Sequence, residues 1–225
     1  MPHTFFNIDC MDKDKGMPSY PDKYFELAIV DPPWGTGWDG DVPSMTISPK
    51  MSEKRKQTWK NRVASKYVRK NWDIKPGKEY FDELFRVSKN QIIWGGNHFD
   101  LPQSCGWIFW DKLMDEGFSV ADGELAWTSF DKAVKKVTVL WAGYKKGEPT
   151  NRIHPTQKPL TIYKFLLNNY AKPGDKILDT HVGSASSIIA CIDLGFDVWG
   201  YELDEDYYKA ATKRIADFES QLKIF

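Results

Sequence analysis

The sequence predicts an α/β protein built on a mainly parallel sheet with helices on both faces. Short apolar runs end abruptly in small or turn residues, and helical patterns alternate with them. Near the C-terminus, Lys176–Asp179 and Asp197–Tyr201 flank a helical stretch, Ser186 to Leu194, which makes a strand–helix–strand unit.

Taken in order, Phe25-Glu26-Leu27-Ala28-Ile29-Val30 reads as a buried strand stopped by Asp31-Pro32-Pro33. Gln91–Trp94 reads as a second strand, stopped by Gly95-Gly96, and Gly106–Trp110, Glu124–Thr128 and Val137–Trp141 follow. A helix is expected from Pro159 to Tyr170 with Leu160, Phe165 and Leu166 inward, ending before Lys172-Pro173-Gly174. Gly195 closes the helix that starts at Ser186. In the last helix Tyr208, Ala211, Ile215, Phe218 and Leu222 recur at three- and four-residue steps, with Asp204 in front as the N-cap.

A chain of 225 residues is long enough for one well-cored domain and short for two, so one domain over 1–225 is expected. No run approaches eighteen apolar residues, and Met1-Pro2-His3-Thr4 starts no signal-like segment, which argues against secretion or membrane insertion. Cys10, Cys105 and Cys191 are widely spaced with no CxxC pair, consistent with reduced thiols and no disulfide framework or zinc knuckle. Lysine and arginine balance the acids overall, but not locally. Between Lys50 and Lys78 eleven basic residues, among them Lys54, Arg55, Lys56, Lys60, Arg62, Lys66, Arg69 and Lys70, face only Glu53 and Asp73. Such a stretch, about residues 39–78, is either a phosphate-contacting insertion or a solvated surface loop.

In open parallel sheets ligands sit beyond the carboxyl ends of strands, and three clusters fall there. The first is Asp31-Pro32-Pro33-Trp34. It could be a strand stop and a core tryptophan, but it also suits an exocyclic amine, whose lone pair is delocalised into its ring. The Asp31 carboxylate and the Pro32 carbonyl could hold the two N–H bonds and turn that lone pair toward an electrophile. Trp34 could stack on a base removed from its duplex. The second cluster, Asp179-Thr180-His181-Val182-Gly183-Ser184-Ala185-Ser186, is a small-residue turn opening a helix, with Glu202 ending the next strand as an acceptor for ribose hydroxyls. No Gly-x-Gly-x-x-Gly and no P-loop occurs, which favours a nucleoside cofactor without phosphates. The third is His154-Pro155-Thr156-Gln157-Lys158-Pro159, at a helix start. It is either an initiating turn or a place where Lys158 meets a carboxylate such as that of a methionine moiety. His154 has no partner at metal-ligand spacing, so no metal is expected.

Together and in this order the clusters resemble those of the β group of amino-directed (N6-adenine or N4-cytosine) DNA methyltransferases, including small phage-type adenine enzymes. Asp31–Trp34 resembles the group's Asp-Pro-Pro-aromatic catalytic motif, and His154–Pro159 its His-Pro-Thr-Gln-Lys-Pro. Asp179–Ser186 resembles Asp-Pro-Phe-x-Gly-Ser-Gly-Thr, with Thr180-His181 in place of Pro-Phe and Ala185-Ser186 in place of Gly-Thr. Asn7–Cys10 is similar to the segment touching the cofactor's adenine, and Gly200–Asp204 to the ribose-binding strand end.

The resemblance implies a Rossmann-like, seven-stranded sheet with circularly permuted motif order, the catalytic motif preceding the cofactor motif. It implies S-adenosylmethionine as cofactor, bound by Asp9, Cys10, Asp31, Thr156, Gln157, Lys158, Asp179, Thr180, Gly183, Ser184, Ser186, Glu202 and Leu203. Transfer to the amine would be direct, with Asp31, Pro32, Pro33 and Trp34 catalytic and double-stranded DNA as substrate. Sequence reading would fall to the basic stretch and to Thr128–Thr150. Asn97, in Gly95-Gly96-Asn97-His98, could reach the base or simply form a turn.

Adenine is favoured because Ser in place of Asp31 is commoner in the cytosine-N4 enzymes. Cytosine-C5 chemistry would need a cysteine after a proline, and none of the three cysteines has one. An RNA adenosine methyltransferase also carries Asp-Pro-Pro-Trp, but His154–Pro159 resembles the DNA group. A non-catalytic DNA-binding subunit stays open because of the altered cofactor turn. By the same resemblance the protein is cytoplasmic, in a bacterial or phage-infected cell, in restriction–modification with or without a partner endonuclease. Dimers occur in the group, which leaves a homodimer open.

Overall fold

The computed structural model describes residues 3–37, 52–53, 70–114, 121–142, 145–146 and 152–222. Strands β1 (His3–Phe6) and β2 (Phe25–Val30) precede helix α1 (Lys78–Val87). Strands β3 (Ser88–Trp94), β4 (Trp107–Asp111), β5 (Gly123–Thr128), β6 (Lys135–Thr138), β7 (Trp141–Ala142) and β8 (Lys145–Lys146) come next. Helix α2 (Leu160–Tyr170), β9 (Lys176–Asp179), α3 (Ser186–Leu194), β10 (Asp197–Tyr201) and α4 (Glu205–Leu222) complete the order.

One eight-stranded sheet runs β1-β10-β9-β2-β3-β5-β4-β6, and β7 and β8 form a separate antiparallel hairpin. Only β5 runs against the rest. The mainly parallel α/β class expected from the sequence is therefore present, with one strand more than the seven expected. The addition is β1, in parallel register from His3 opposite Val198 to Phe6 opposite Tyr201. Four partly buried residues carry too little pattern to announce a strand. The Val137–Trp141 run divides, its first part joining β6 and Trp141 entering the hairpin.

Strand β2 explains the two-sided core. Leu27 and Ile29 pack into one cluster with Ile162, Leu166, Ile188, Ile189 and Ile215 from α2, α3 and α4. Phe25, Ala28 and Val30 pack into the other with Tyr80, Phe81, Leu84 and Val87 of α1. From Leu27 to Val30 alternate residues feed opposite faces, so this part of a strand covered on both sides is apolar throughout. Each fully buried Ile or Leu of this kind contributes roughly 1.5–3 kcal/mol.

Helix α1 was hidden in the sequence by the basic stretch ending at Lys78. In α4 the buried stripe is Tyr207, Ala211 and Ile215, while Tyr208 is only partly buried and packs on Phe5 at 4.6 Å. Asp204 caps α4 as expected, its Oδ1 accepting from the Asp206 and Tyr207 backbone N–H at 3.0 and 3.1 Å.

The chain leaves β2 through α1 toward β3 and leaves β9 through α3 toward β10, in opposite directions along the sheet. Because β2 and β9 are neighbours, a crevice opens beyond their carboxyl ends. Among the described residues no helix is long and apolar enough to cross a membrane, and no group of three or more His, Cys, Asp or Glu could hold a metal ion.

Candidate active site

The crevice is a cavity of about 720 Å³, a size suited to a nucleoside-like ligand. Asp9 and Cys10 line it after β1, Asp31 and Pro33 after β2, and Thr180, Gly183 and Ser184 after β9. Glu202 and Leu203 close it after β10, and Thr156, Gln157 and Lys158 enter from the segment before α2. Residues from both ends and the middle of the chain thus converge because β1, β10, β9 and β2 are consecutive in the sheet.

The turn after β9 is shaped for close approach. Gly183 has φ of +54°, and its backbone N–H donates to Glu202 Oε2 at 2.8 Å. Glu202 Oε1 accepts from Asp204 N at 2.9 Å, so this carboxylate braces two loops and keeps other lone pairs for a ligand. Burial raises its pKa against those two hydrogen bonds. Asp179 and Ser186, expected at the cofactor, do not line the cavity. The Asp179 carboxylate accepts from Ser187 Oγ and from His181 N, which fixes the turn. Ser186 Oγ donates to the Lys158 carbonyl at 2.9 Å and receives Arg214, joining the two cofactor-side segments from below.

His154 is buried against Tyr207 at 4.2 Å and Trp72 at 5.3 Å. Desolvation drops its pKa to about 3, and its Nδ1 accepts from Thr156 N, so the ring is neutral. Gln157 Oε1 takes Ile153 N at 3.0 Å, which shows a loop-building job for that side chain.

Lys158, expected to meet a cofactor carboxylate, is paired within the chain: its ammonium meets Asp31 Oδ2 and lies 3.2 Å from Glu124 Oε2. Glu124, on β5, in turn receives Lys112 Nζ at 2.5 Å. All four side chains are at least four-fifths buried, and Lys158 also sits over the rings of Trp34 and Trp94 at 5.3 and 5.2 Å. Burial raises the Asp31 pKa and Glu124 adds to that, with Lys158 opposing. Burial works against the charge on Lys158, yet the two carboxylates outweigh it and raise its pKa. Glu124 is lowered, since Lys158 and Lys112 outweigh its burial.

Pro32 is buried, and Trp34 lies stacked on His98 at 4.9 Å with an interplanar angle of 18°. Asn97 is exposed within the short turn Gly96–His98 and is not in the cavity wall.

Sequence reasoning missed Glu124 and the segment 70–75. A charged residue opening the otherwise apolar run Glu124–Thr128 was the available signal for the first. In the second, Lys70, Asn71, Trp72 and Ile74 line the cavity. Lys70, expected to contact phosphate, is paired within the chain in this structure. Its ammonium is held by Asp204 at 2.6 and 2.7 Å and by Asp206 at 2.8 Å, over the Tyr207 ring. The other expected phosphate contacts, Lys54, Arg55, Lys56, Lys60, Arg62, Lys66 and Arg69, lie outside the described residues.

A family model described as DNA methylase, for N6 and N4 methyltransferases, matches residues 45–213. The chain belongs to this DNA methylase family. Over 240 residues the methylase is 25% identical to an Escherichia coli (strain K12) protein named as a methylase, YubD, covering 94% of this chain and 89% of the relative. The type II methyltransferase M2.DpnII of Streptococcus pneumoniae is 35% identical over 105 residues, 46% of this chain and 33% of that one. The solved M1.HpyAVI–S-adenosylmethionine complex has the same fold, with TM-score 0.56 and 19% identity over 95% of this chain and 100% of that one. The likeness to that complex carries the fold, and the family match carries the DNA methylase assignment. The cavity lining suits a nucleoside cofactor such as S-adenosylmethionine: Glu202 keeps carboxylate lone pairs, the Gly183 turn adds no side chain, and the sequence carries no phosphate-binding motif.

Proposed function

We propose that this methylase modifies the N6 amine of adenine in double-stranded DNA, on a base turned out of the helix. The observation that carries the reading is Asp31, which follows β2 as a buried carboxylate in the wall of the cofactor cavity. Bound S-adenosylmethionine would supply the methyl group from its sulfonium, whose S–C bond breaks to leave the neutral thioether S-adenosylhomocysteine. Asp31 accepts one N–H of the amine and the Pro32 carbonyl accepts the other, so the nitrogen lone pair leaves the ring plane. As the new N–C bond forms, the nitrogen's surplus proton passes to Asp31. Positioning and these two acceptors do most of the work. A base stacked on Trp34 uses the face away from His98. Unstacking costs a few kcal/mol, drawn from contacts with the flanking DNA.

Adenine, rather than cytosine N4, is supported by an aspartate at position 31 in the resemblance to adenine enzymes. In the same reading residues 1–225 work as one catalytic unit. The stretch of about 39–78 is its DNA-contacting insertion, with Lys54, Arg55, Lys56, Lys60, Arg62, Lys66 and Arg69 neutralising phosphates. Thr156, Gly183, Ser184, Glu202 and Leu203, with Asp9, Cys10 and Thr180, face the cofactor.

Labelled S-adenosylmethionine and mixed-sequence DNA, followed by mass spectrometry of the nucleosides, should give N6-methyladenine. Asp31→Ala should keep cofactor binding and lose methylation by a factor of at least about 10². Label on N4 of cytosine alone would move the target to cytosine, and near-normal turnover by Asp31→Ala would overturn the role given to Asp31.

A further inference from the structure

We propose that Glu124 is a positioning residue for methyl transfer: its carboxylate shares the Lys158 ammonium with Asp31 and so keeps Asp31 available as acceptor for the substrate amine. The inference rests on the catalytic reading of Asp31 and adds a residue from the far side of the sheet's antiparallel strand.

The geometry is a buried row of alternating charge. Lys112 Nζ meets Glu124 Oε1 at 2.5 Å, Glu124 Oε2 stands 3.2 Å from Lys158 Nζ, and Lys158 meets Asp31 Oδ2. Aromatic faces enclose it, with Lys112 over Trp110 at 4.9 Å and Lys158 over Trp94 and Trp34. Two cations and two anions balance, which is the condition for burying charge in such a place. The strand arrangement sets up the row. Glu124 is opposite Trp110 in the β4–β5 register, two residues before Lys112, and β3 separates β5 from β2, which Asp31 follows.

An isolated Lys158–Asp31 pair would make a poor acceptor of Asp31. In a low dielectric one undivided ammonium draws the carboxylate into a strong charge-assisted bond and lowers its basicity. A second carboxylate on the same ammonium divides that attraction and adds negative potential at Asp31. The pKa directions agree: burial does most to raise Asp31, Glu124 raises it further, and Lys158 lowers it. Among the described residues, Asp179 on β9, Tyr80 on α1 and Tyr163 on α2 also sense Asp31. Each is buried, and none of the three is hydrogen-bonded to Asp31 or Lys158 among the described contacts. Lys112 pairs with Glu124, not with Asp31, among the described contacts.

The test is the pH profile of single-turnover methylation by the full chain with saturating S-adenosylmethionine and DNA. In Glu124→Gln, Asp31 keeps an undivided ammonium. The acidic limb should move to lower pH by about one pH unit and the plateau rate should fall about tenfold, the two effects of one lost charge contact. Cofactor affinity should stay within about threefold. Glu124→Asp should restore part of the rate and move the limb back. Lys112→Gln frees Glu124 from its outer cation, so its limb should move to higher pH; this variant also serves if Glu124→Gln does not fold. A parental limb in both Glu124→Gln and Lys112→Gln, with Asp31→Asn inactive, overturns the role of Glu124 and leaves that of Asp31 standing. An active Asp31→Asn overturns both.

Discussion

Trp34 and Gly95 meet so closely that a Cβ built on Gly95 falls 2.2 Å from the indole Nε1. Gly95 also has φ of +66°, in the left-handed region open mainly to glycine. Gly95, just after β3, is therefore the floor on which Trp34 rests. His98, three residues on, is stacked on that same tryptophan.

Gly95→Ala should accordingly act on the reaction more than on the cofactor. The added methyl must push the indole aside, and the backbone conformation adds about 1–2 kcal/mol of strain. Methyl transfer should drop roughly a hundredfold, since a displacement near 1 Å is enough for that. Equilibrium dialysis with S-adenosylmethionine should give parental affinity. A variant with parental turnover would show that the Trp34 position is immaterial.

The sequence made the sheet class legible because β2, β3, β9 and β10 are apolar runs with abrupt stops, and α2 and α3 have clear ends. It left β1 unannounced because pairing with β10, not local pattern, makes those four residues a strand. The site was legible where one short segment holds several constrained residues, as in Asp31–Trp34 and Asp179–Ser186. It was opaque where tertiary pairing decides a side chain's job. Lys70 read as a phosphate contact and Lys158 as the partner of a cofactor carboxylate, and each is paired with two carboxylates from distant parts of the chain. Ala185 is a further case: it replaces a glycine of the family pattern and still adopts φ of +62° at the start of α3, fully buried. Its backbone bends as a glycine would, at the cost of strain that the surrounding packing offsets.

Asp179 should leave a signature in stability rather than in chemistry. Burial pushes its carboxyl up from 3.8 to about 7, against the hydrogen bonds it accepts from Ser187 and His181. Between those two values the folded chain binds more proton at this site than the unfolded chain. This carboxyl therefore removes stability as pH rises through the window. Asp179→Asn is free of the effect, so its stability relative to the parent should improve from pH 4 to pH 8. Urea unfolding at several pH values measures that difference directly. A constant difference across the range would show that the carboxyl is already ionised in the folded protein at pH 4.

Asp73 ties the segment 70–75 to the turn that follows Trp34. Its Oδ1 accepts from Gly35 N at 2.9 Å and its Oδ2 from Thr36 Oγ1 at 3.4 Å, immediately after Trp34. On either side, Trp72 packs on His154 at the cofactor cavity and Lys75 Nζ donates to the His98 carbonyl beneath Trp34. The same few residues thus touch both the cofactor wall and the tryptophan's stacking partner. Asp73→Ala removes the anchor of Gly35, whose φ of +69° needs an outside hold to stay populated in one conformation. Single-turnover transfer should slow roughly ten- to a hundredfold while S-adenosylmethionine affinity changes by less than about threefold. Asp73→Asn keeps an acceptor for Gly35 N and should recover most of the rate. Equal losses in the two variants would point to the carboxylate's charge, not the anchor, as what that turn requires.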